Sequence, residues 1–125
     1  PQALASLKSG TDAMVFVTDN VVVNAMPVIA KTLKDDKIPS LAFDEGSVEN
    51  GALIAEGVNY RNIGKRAGEM AADILKENKD LKEIPFEDAK DLEMLVNKET
   101  AEIIGLDLEK DSLKDSKIME NKEGK

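Results

Sequence analysis

Two short β-rich runs, each ending in a cluster of small polar residues and separated by one helical pattern, constrain this chain more than any other feature. Met14-Val15-Phe16-Val17 runs into Thr18-Asp19-Asn20, and Ser40 to Phe43 runs into Asp44-Glu45-Gly46-Ser47. Between them Val22, Met26, Ile29 and Leu33 recur at steps of four, three and four, the single buried stripe of a helix. A strand, a crossover helix and a second strand form a βαβ unit with parallel strands. In such a sheet the ligand crevice lies off the carboxyl ends of the strands. Both polar clusters fall at those ends.

The remaining chain continues the alternation. Met14–Val17 is apolar on both faces, which predicts a strand covered by helices on each side. Asn20 or Asn24 is read as the cap of the next helix, ragged from Val21 and regular from about Asn24 to Asp35. Pro27 belongs in a first turn or kinks the helix. Ser47 is read as the cap of a short helical turn that Gly51 ends, and 52–58 as a third strand. A long helix follows over about 60–77. Ile63, Ala67, Met70, Ala71, Ile74 and Leu75 lie on one face, and Lys65, Arg66, Glu69, Asp73 and Lys76 on the other. Gly64 and Gly68 are expected to let this helix approach the sheet closely.

A polar connection over 78–88 carries Pro85, and 92–96 reads as a fourth strand. Asn97 caps a last helix over 98–104, closed by Gly105. At the other end, 3–8 reads as the last turns of a helix stopping at Gly10, and the start on Pro1 suggests a piece of something longer. The expectation is one α/β domain over 1–119, a mainly parallel sheet with helices on both faces. A charged tail, 120–125, is expected to be disordered.

Composition removes whole chemistries. The 125 residues contain no cysteine and no histidine, so thiolate nucleophiles, imidazole bases, disulfides and zinc sites are excluded. Seventeen basic against 25 acidic residues leave a net charge of −8, which repels nucleic-acid backbones and anionic membrane surfaces. No apolar run approaches the ~20 residues that span a bilayer, and no signal-peptide pattern opens the chain. Gly57 and Gly64-Lys65 faintly suggest a phosphate loop, but six residues separate the glycines instead of four, and Arg66 stands where Ser or Thr belongs. Ser47 has Glu45 and Glu49 nearby but no lysine at a catalytic spacing. No catalytic residue, metal site or cofactor is expected, and the chain reads as a non-enzyme.

Binding is the chemistry that remains. The Asp19 carboxylate suits a ligand ammonium, and the amides of the turn at Ser47 suit a ligand carboxylate, so together they suit a zwitterion. Each residue also has a purely structural reading. Asp19 or Asn20 serves equally as a helix cap, Ser47 more readily as a cap than a contact, and Tyr60 as a half-buried anchor. Met26 and Met70 read as ordinary core.

Taken in order, Val15-Phe16-Val17-Thr18-Asp19-Asn20, Lys37-Ile38-Pro39, Glu45-Gly46-Ser47-Val48, Gly51-Ala52-Leu53, Gly57-Val58-Asn59-Tyr60 and Gly64 resemble one family. It is the ABC transporter substrate-binding proteins of the tryptophan/tyrosine-type group, which have a type I periplasmic-binding-protein fold. Asn97, Ala101 and Gly105-Leu106 are similar to that family's closing strand and helix. The resemblance covers about 3–119 and falls on the family's carboxyl-terminal lobe. It implies ligand-binding positions at Asp19 and Asn20, with Glu45, Ser47 and Val48 beside them, and it matches Tyr60 to the tyrosine after the third strand. It further implies a small amino acid-like ligand, aromatic in some members. The implied partners are an amino-terminal lobe of the same protein and an ABC permease. The implied location is extracytoplasmic, lipid-anchored or periplasmic. The same fold also serves as the effector-binding core of transcription regulators or sensors, which is the alternative reading.

Overall fold

The computed structural model describes residues 4, 6, 10–77, 80–89 and 92–120. Strands β1 (Met14–Val15), β2 (Ser40–Ala42), β3 (Ile54–Val58), β4 (Leu92–Asn97) and β5 (Lys117–Met119) lie in chain order across one sheet. Helices α1 (Asn20–Asp35), α2 (Glu45–Glu49), α3 (Tyr60–Glu77) and α4 (Lys98–Ile104) connect or follow them. The chain divides into two compact units, 1–57 with 93–125, and 58–92. The expected terminal helix over 3–8 and the tail beyond 120 lie largely outside the described residues.

In the first unit β1 pairs parallel with β2, β2 with β3, and β4 with β5. The Asn97 amide, at the end of β4, donates to the Leu53 carbonyl just before β3, at 2.9 Å. β4 therefore runs back against β3 in an otherwise parallel sheet. Alternate residues feed two cores, as strand geometry requires. Ala42, Ala55 and Leu95 pack with Met26, Ala30 and Val48 from α1 and α2. Ile54 and Val96 pack with Leu53, Ala101 and Leu113. The α/β sheet with helices on both faces is the architecture read from the sequence.

Helix α1 is continuous from Asn20, not ragged to Asn24, because Asp19 rather than Asn20 or Asn24 caps it. Pro27 sits inside it, where its missing N–H removes the usual donor to the Val23 carbonyl. The helix survives because Met26, Ala30 and Leu33 are fully buried, a packing gain of about 1.5–3 kcal/mol for each large side chain. It ends in a Schellman motif: the Lys37 amide donates to the Lys34 carbonyl at 3.1 Å and the Ile38 amide to the Leu33 carbonyl at 2.8 Å. Lys37 holds the left-handed position of that motif, with φ 54°.

Strand β1 departs from expectation. Met14 and Phe16 are half-buried, but Val15 and Val17 are 60% and 70% exposed, so only one face is covered. β1 is the edge of the sheet, and among the described residues nothing pairs with its outer side. An apolar groove of about 420 Å³ runs alongside, lined by Leu4, Met14, Phe16, Val22, Val28 and others.

The second unit holds α3 and the segment that follows it. The Asn59 carboxamide oxygen caps α3, accepting from the amides of Arg61 and Asn62 at 3.0 and 3.1 Å. Arg66 donates from Nε to Glu87 at 2.7 Å and from its second nitrogen to the other carboxylate oxygen, tying α3 to the extended stretch around Pro85. The hydrogen bonds that Arg66 donates to Glu87, with the carboxylate's charge, raise the Arg66 pKa above its already high value, so the guanidinium stays charged. No residue of α3 is buried. Tyr60 is 62% exposed rather than a half-buried anchor, and Met70 is half-buried rather than core. A Cβ at Gly64 or Gly68 would meet nothing within 4 Å, so these glycines do not mediate the close helix–sheet approach expected of them.

Candidate functional site

Because β1 and β2 are parallel neighbours, the loops leaving their carboxyl ends share one rim of the sheet. The Asp19 loop leaves β1 there and the Asp44 loop leaves β2. β3 follows in parallel beside β2.

Asp19 serves as a cap and keeps an oxygen in reserve. Its Oδ1 accepts from the amides of Val21 and Val22 at 2.8 and 3.2 Å, satisfying two of the unpaired donors of the first turn. Its Oδ2 has no partner among the described residues, and the residue is exposed. Asn20 opens α1 and is also exposed. One carboxylate can thus hold its helix and still offer an acceptor to solvent or ligand.

The second loop is built differently from the sequence reading. Asp44, not Ser47, caps α2. The Ser47 amide donates to Asp44 Oδ1 at 2.7 Å and the Ser47 hydroxyl to Asp44 Oδ2 at 2.8 Å. Ser47 is 1% exposed and Val48 is fully buried against Met26 and Ala55. Ser47 and Val48, expected beside the site, have side chains that brace the loop from inside, and the Ser47 amide already donates to Asp44. Glu45 is exposed and pairs with Lys117 at 3.2 Å. The sequence carried no signal for that pair, which links α2 to a β5 that was not foreseen.

Two further features hold the rim in place. A Cβ built on Gly57 would come within 2.8 Å of the Phe43 carbonyl oxygen, so only glycine lets β3 lie this close to the end of β2. Behind α2, buried Asn97 donates to the Val48 carbonyl at 2.8 Å and accepts from the Thr100 amide at 2.9 Å. The Thr100 hydroxyl donates to the Gly51 carbonyl at 3.0 Å. Asn97 thus caps α4, as the sequence predicted, and together with Thr100 ties α4 to both ends of the Val48–Gly51 turn.

Parallel strands release two polar loops onto one rim, the edge where open α/β sheets receive ligands. The chain belongs to the family described as ABC transporter substrate binding protein, whose model matches residues 1–118. It is 36% identical over 121 residues to a tyrosine-binding protein of Clostridioides difficile (strain R20291), across 96% of this chain and 35% of that protein. The ligand-free, open structure of CD0873, a substrate binding protein with adhesive properties from Clostridium difficile, is similar with a TM-score of 0.81. The identity there is 33%, over 97% of this chain and 40% of that one. An ABC domain in complex with L-Trp from Streptococcus pneumonia has a TM-score of 0.75 at 20% identity, over 94% of this chain and 40% of that one, a likeness of fold alone. The chain thus spans two fifths or less of the length of these relatives.

Proposed function

We propose that this chain supplies one ligand-contacting rim of an extracytoplasmic substrate-binding protein that captures a small amino acid for import by an ABC transporter. One observation carries the reading: Asp19 caps α1 through Oδ1 and, among the described residues, leaves Oδ2 without a partner on the rim. A free carboxylate oxygen there suits a ligand ammonium, and the Asn20 carboxamide beside it offers both a donor and an acceptor. The similarity to a tyrosine-binding protein supports an amino acid as ligand, with an aromatic one first to be tried. Glu45, held by Lys117, shapes the electrostatics of the rim, while Ser47 and Val48 keep the loop in place.

The other contacts come from an amino-terminal lobe of the same protein, carried in the length of the relatives that this chain does not span. Closure of two lobes over the ligand excludes water and strengthens the Asp19 pair. The permease and a lipid anchor belong to the same reading of the whole protein.

Calorimetry on the two-lobed protein tests this. L-tyrosine, L-tryptophan and a panel of other amino acids are titrated beside 3-(4-hydroxyphenyl)propanoate, which has the tyrosine skeleton without its ammonium. Heat from at least one amino acid and none from the deaminated compound is expected. Equal binding of both refutes the role given to Asp19, and silence from every amino acid refutes the ligand class.

A further inference from the structure

We propose that Asn50–Gly51 is a modification site at which the chain deamidates itself, and that helix α4 restrains the reaction by clamping the turn. The inference does not depend on the ligand. Of the asparagines in the sequence, Asn50 alone precedes a glycine. With no side chain on the following residue, nothing hinders the approach of its amide nitrogen to the Asn50 carboxamide. The step needs no co-reactant but water. The Gly51 nitrogen bonds to the Asn50 side-chain carbonyl carbon, and the carboxamide nitrogen leaves as ammonia with the Gly51 amide proton. Water then opens the cyclic imide at either carbonyl, giving aspartate or isoaspartate.

The fold requires both residues. Helix α2 ends in a Schellman motif, in which the Gly51 amide donates to the Val48 carbonyl at 3.0 Å and the Ala52 amide to the Ser47 carbonyl at 2.9 Å. Gly51 takes the left-handed position of that motif, with φ 102°. A Cβ there would also come within 3.0 Å of the Ala30 methyl. Asn50 closes the helix with its side chain, donating from Nδ2 to the Gly46 carbonyl at 2.7 Å. It is exposed, so water reaches it. The pair that ends α2 is thus also the pair most prone to cyclise.

The same geometry holds the reaction back. A five-membered ring closes only when the Gly51 nitrogen swings alongside the Asn50 Cβ. With Asn50 at ψ 13°, that nitrogen lies nearly over the Asn50 amide nitrogen instead. Rotation about this bond pulls the Gly51 amide from Val48 and displaces the Gly51 carbonyl, which accepts from the Thr100 hydroxyl at 3.0 Å. The Val48 carbonyl is itself held by Asn97 Nδ2 at 2.8 Å. Cyclisation therefore proceeds only from a locally opened turn, and α4 sets how often the turn opens. Neither product carboxylate can donate to the Gly46 carbonyl, and isoaspartate lengthens the backbone by a methylene. Both changes loosen α2, whose other end is the Asp44–Ser47 loop of the rim.

Peptide mapping by mass spectrometry on the full chain, stored at mildly alkaline pH, follows ammonia loss at each asparagine. Enzymatic methylation of isoaspartate reads the second product. In the urea-unfolded chain Asn50 is expected to react before every other asparagine, and about 10-fold or more faster than in the folded chain. Thr100→Val removes the donor to the Gly51 carbonyl and should speed the folded-state reaction about 10-fold, leaving the unfolded rate unchanged. Should Thr100→Val fail to fold, the unaltered chain in urea below its unfolding transition replaces it, and its rate should climb with urea. Equal rates in the folded and unfolded chains overturn the proposal. So does an unfolded chain in which another asparagine reacts first, or a folded-state rate indifferent to Thr100→Val or to urea.

Discussion

The carboxylate of Asp44 grips Ser47 twice, taking its amide at 2.7 Å and its hydroxyl at 2.8 Å, both in the protein interior. This one pair sets the start of α2 and hence the shape of the second rim loop. Asp44→Ala removes the cap and strands two buried donors, and should cost about 2–4 kcal/mol. Asp44→Asn keeps an acceptor for the amide and should cost clearly less. Urea denaturation of the 125-residue chain measures both; equal losses would mean the charge, not the hydrogen bonds, holds the loop.

Two glycines should respond in opposite directions. Gly57→Ala drives a methyl against the Phe43 carbonyl oxygen at 2.8 Å, and separating two paired strands should cost about 1–3 kcal/mol. Gly64→Ala meets nothing within 4 Å on an exposed helix and should strengthen α3 by up to about 1 kcal/mol. Circular dichroism on heating reads the first as a lower midpoint, and the second as retained or increased helix. A neutral Gly57→Ala would show that β2 and β3 are not held as close as described.

Lys37 is a non-glycine residue at the left-handed position that ends α1. Lys37→Gly removes the steric cost of that conformation and should stabilise the chain by up to about 1 kcal/mol, less the extra entropy glycine brings to the unfolded state. A destabilised variant in the same urea experiment would show that the Lys37 stem contributes packing.

Asn97 joins α4 to the turn behind the rim, with its amide group and its oxygen both engaged. Asn97→Ala leaves the Val48 carbonyl and the Thr100 amide without these partners and should cost about 2–4 kcal/mol. Asn97→Asp is no better, because a carboxylate cannot donate to the Val48 carbonyl. Faster hydrogen exchange at Thr100 and Ala101 would mark the local cause; unchanged exchange there would oppose it.

Much of this was legible in the sequence because it rests on local chemistry. Alternating strands and helices, the Met26–Leu33 stripe, the Asn97 cap and the Gly105 stop follow from period, capping and backbone freedom. The caps of α1 and α2 were harder. Thr18-Asp19-Asn20 and Asp44 to Ser47 offer several cap-forming side chains in a row, and only the path of the backbone selects Asp19 and Asp44. The same ambiguity made Ser47 look available to a ligand when its hydroxyl serves Asp44. β5 escaped notice because three residues, Lys117 to Met119, are too few to show a strand period. An amphipathic pattern on α3 states that one face needs cover. It does not say how far that face is covered, and so Tyr60 was read as a half-buried anchor, Gly64 and Gly68 as points of close approach and Met70 as core, where the structure leaves Tyr60 exposed, Met70 half-buried and the glycines open.

Asp19→Asn tests the central claim most directly, because asparagine caps a helix as well as aspartate does and differs chiefly in charge. Titrating the two-lobed protein with the proposed amino-acid ligand, before and after this change, isolates the carboxylate's pairing with ammonium. The account predicts unchanged thermal stability with affinity reduced about 10-fold or more, the value of a charged hydrogen bond. Full affinity retained by Asp19→Asn would contradict it.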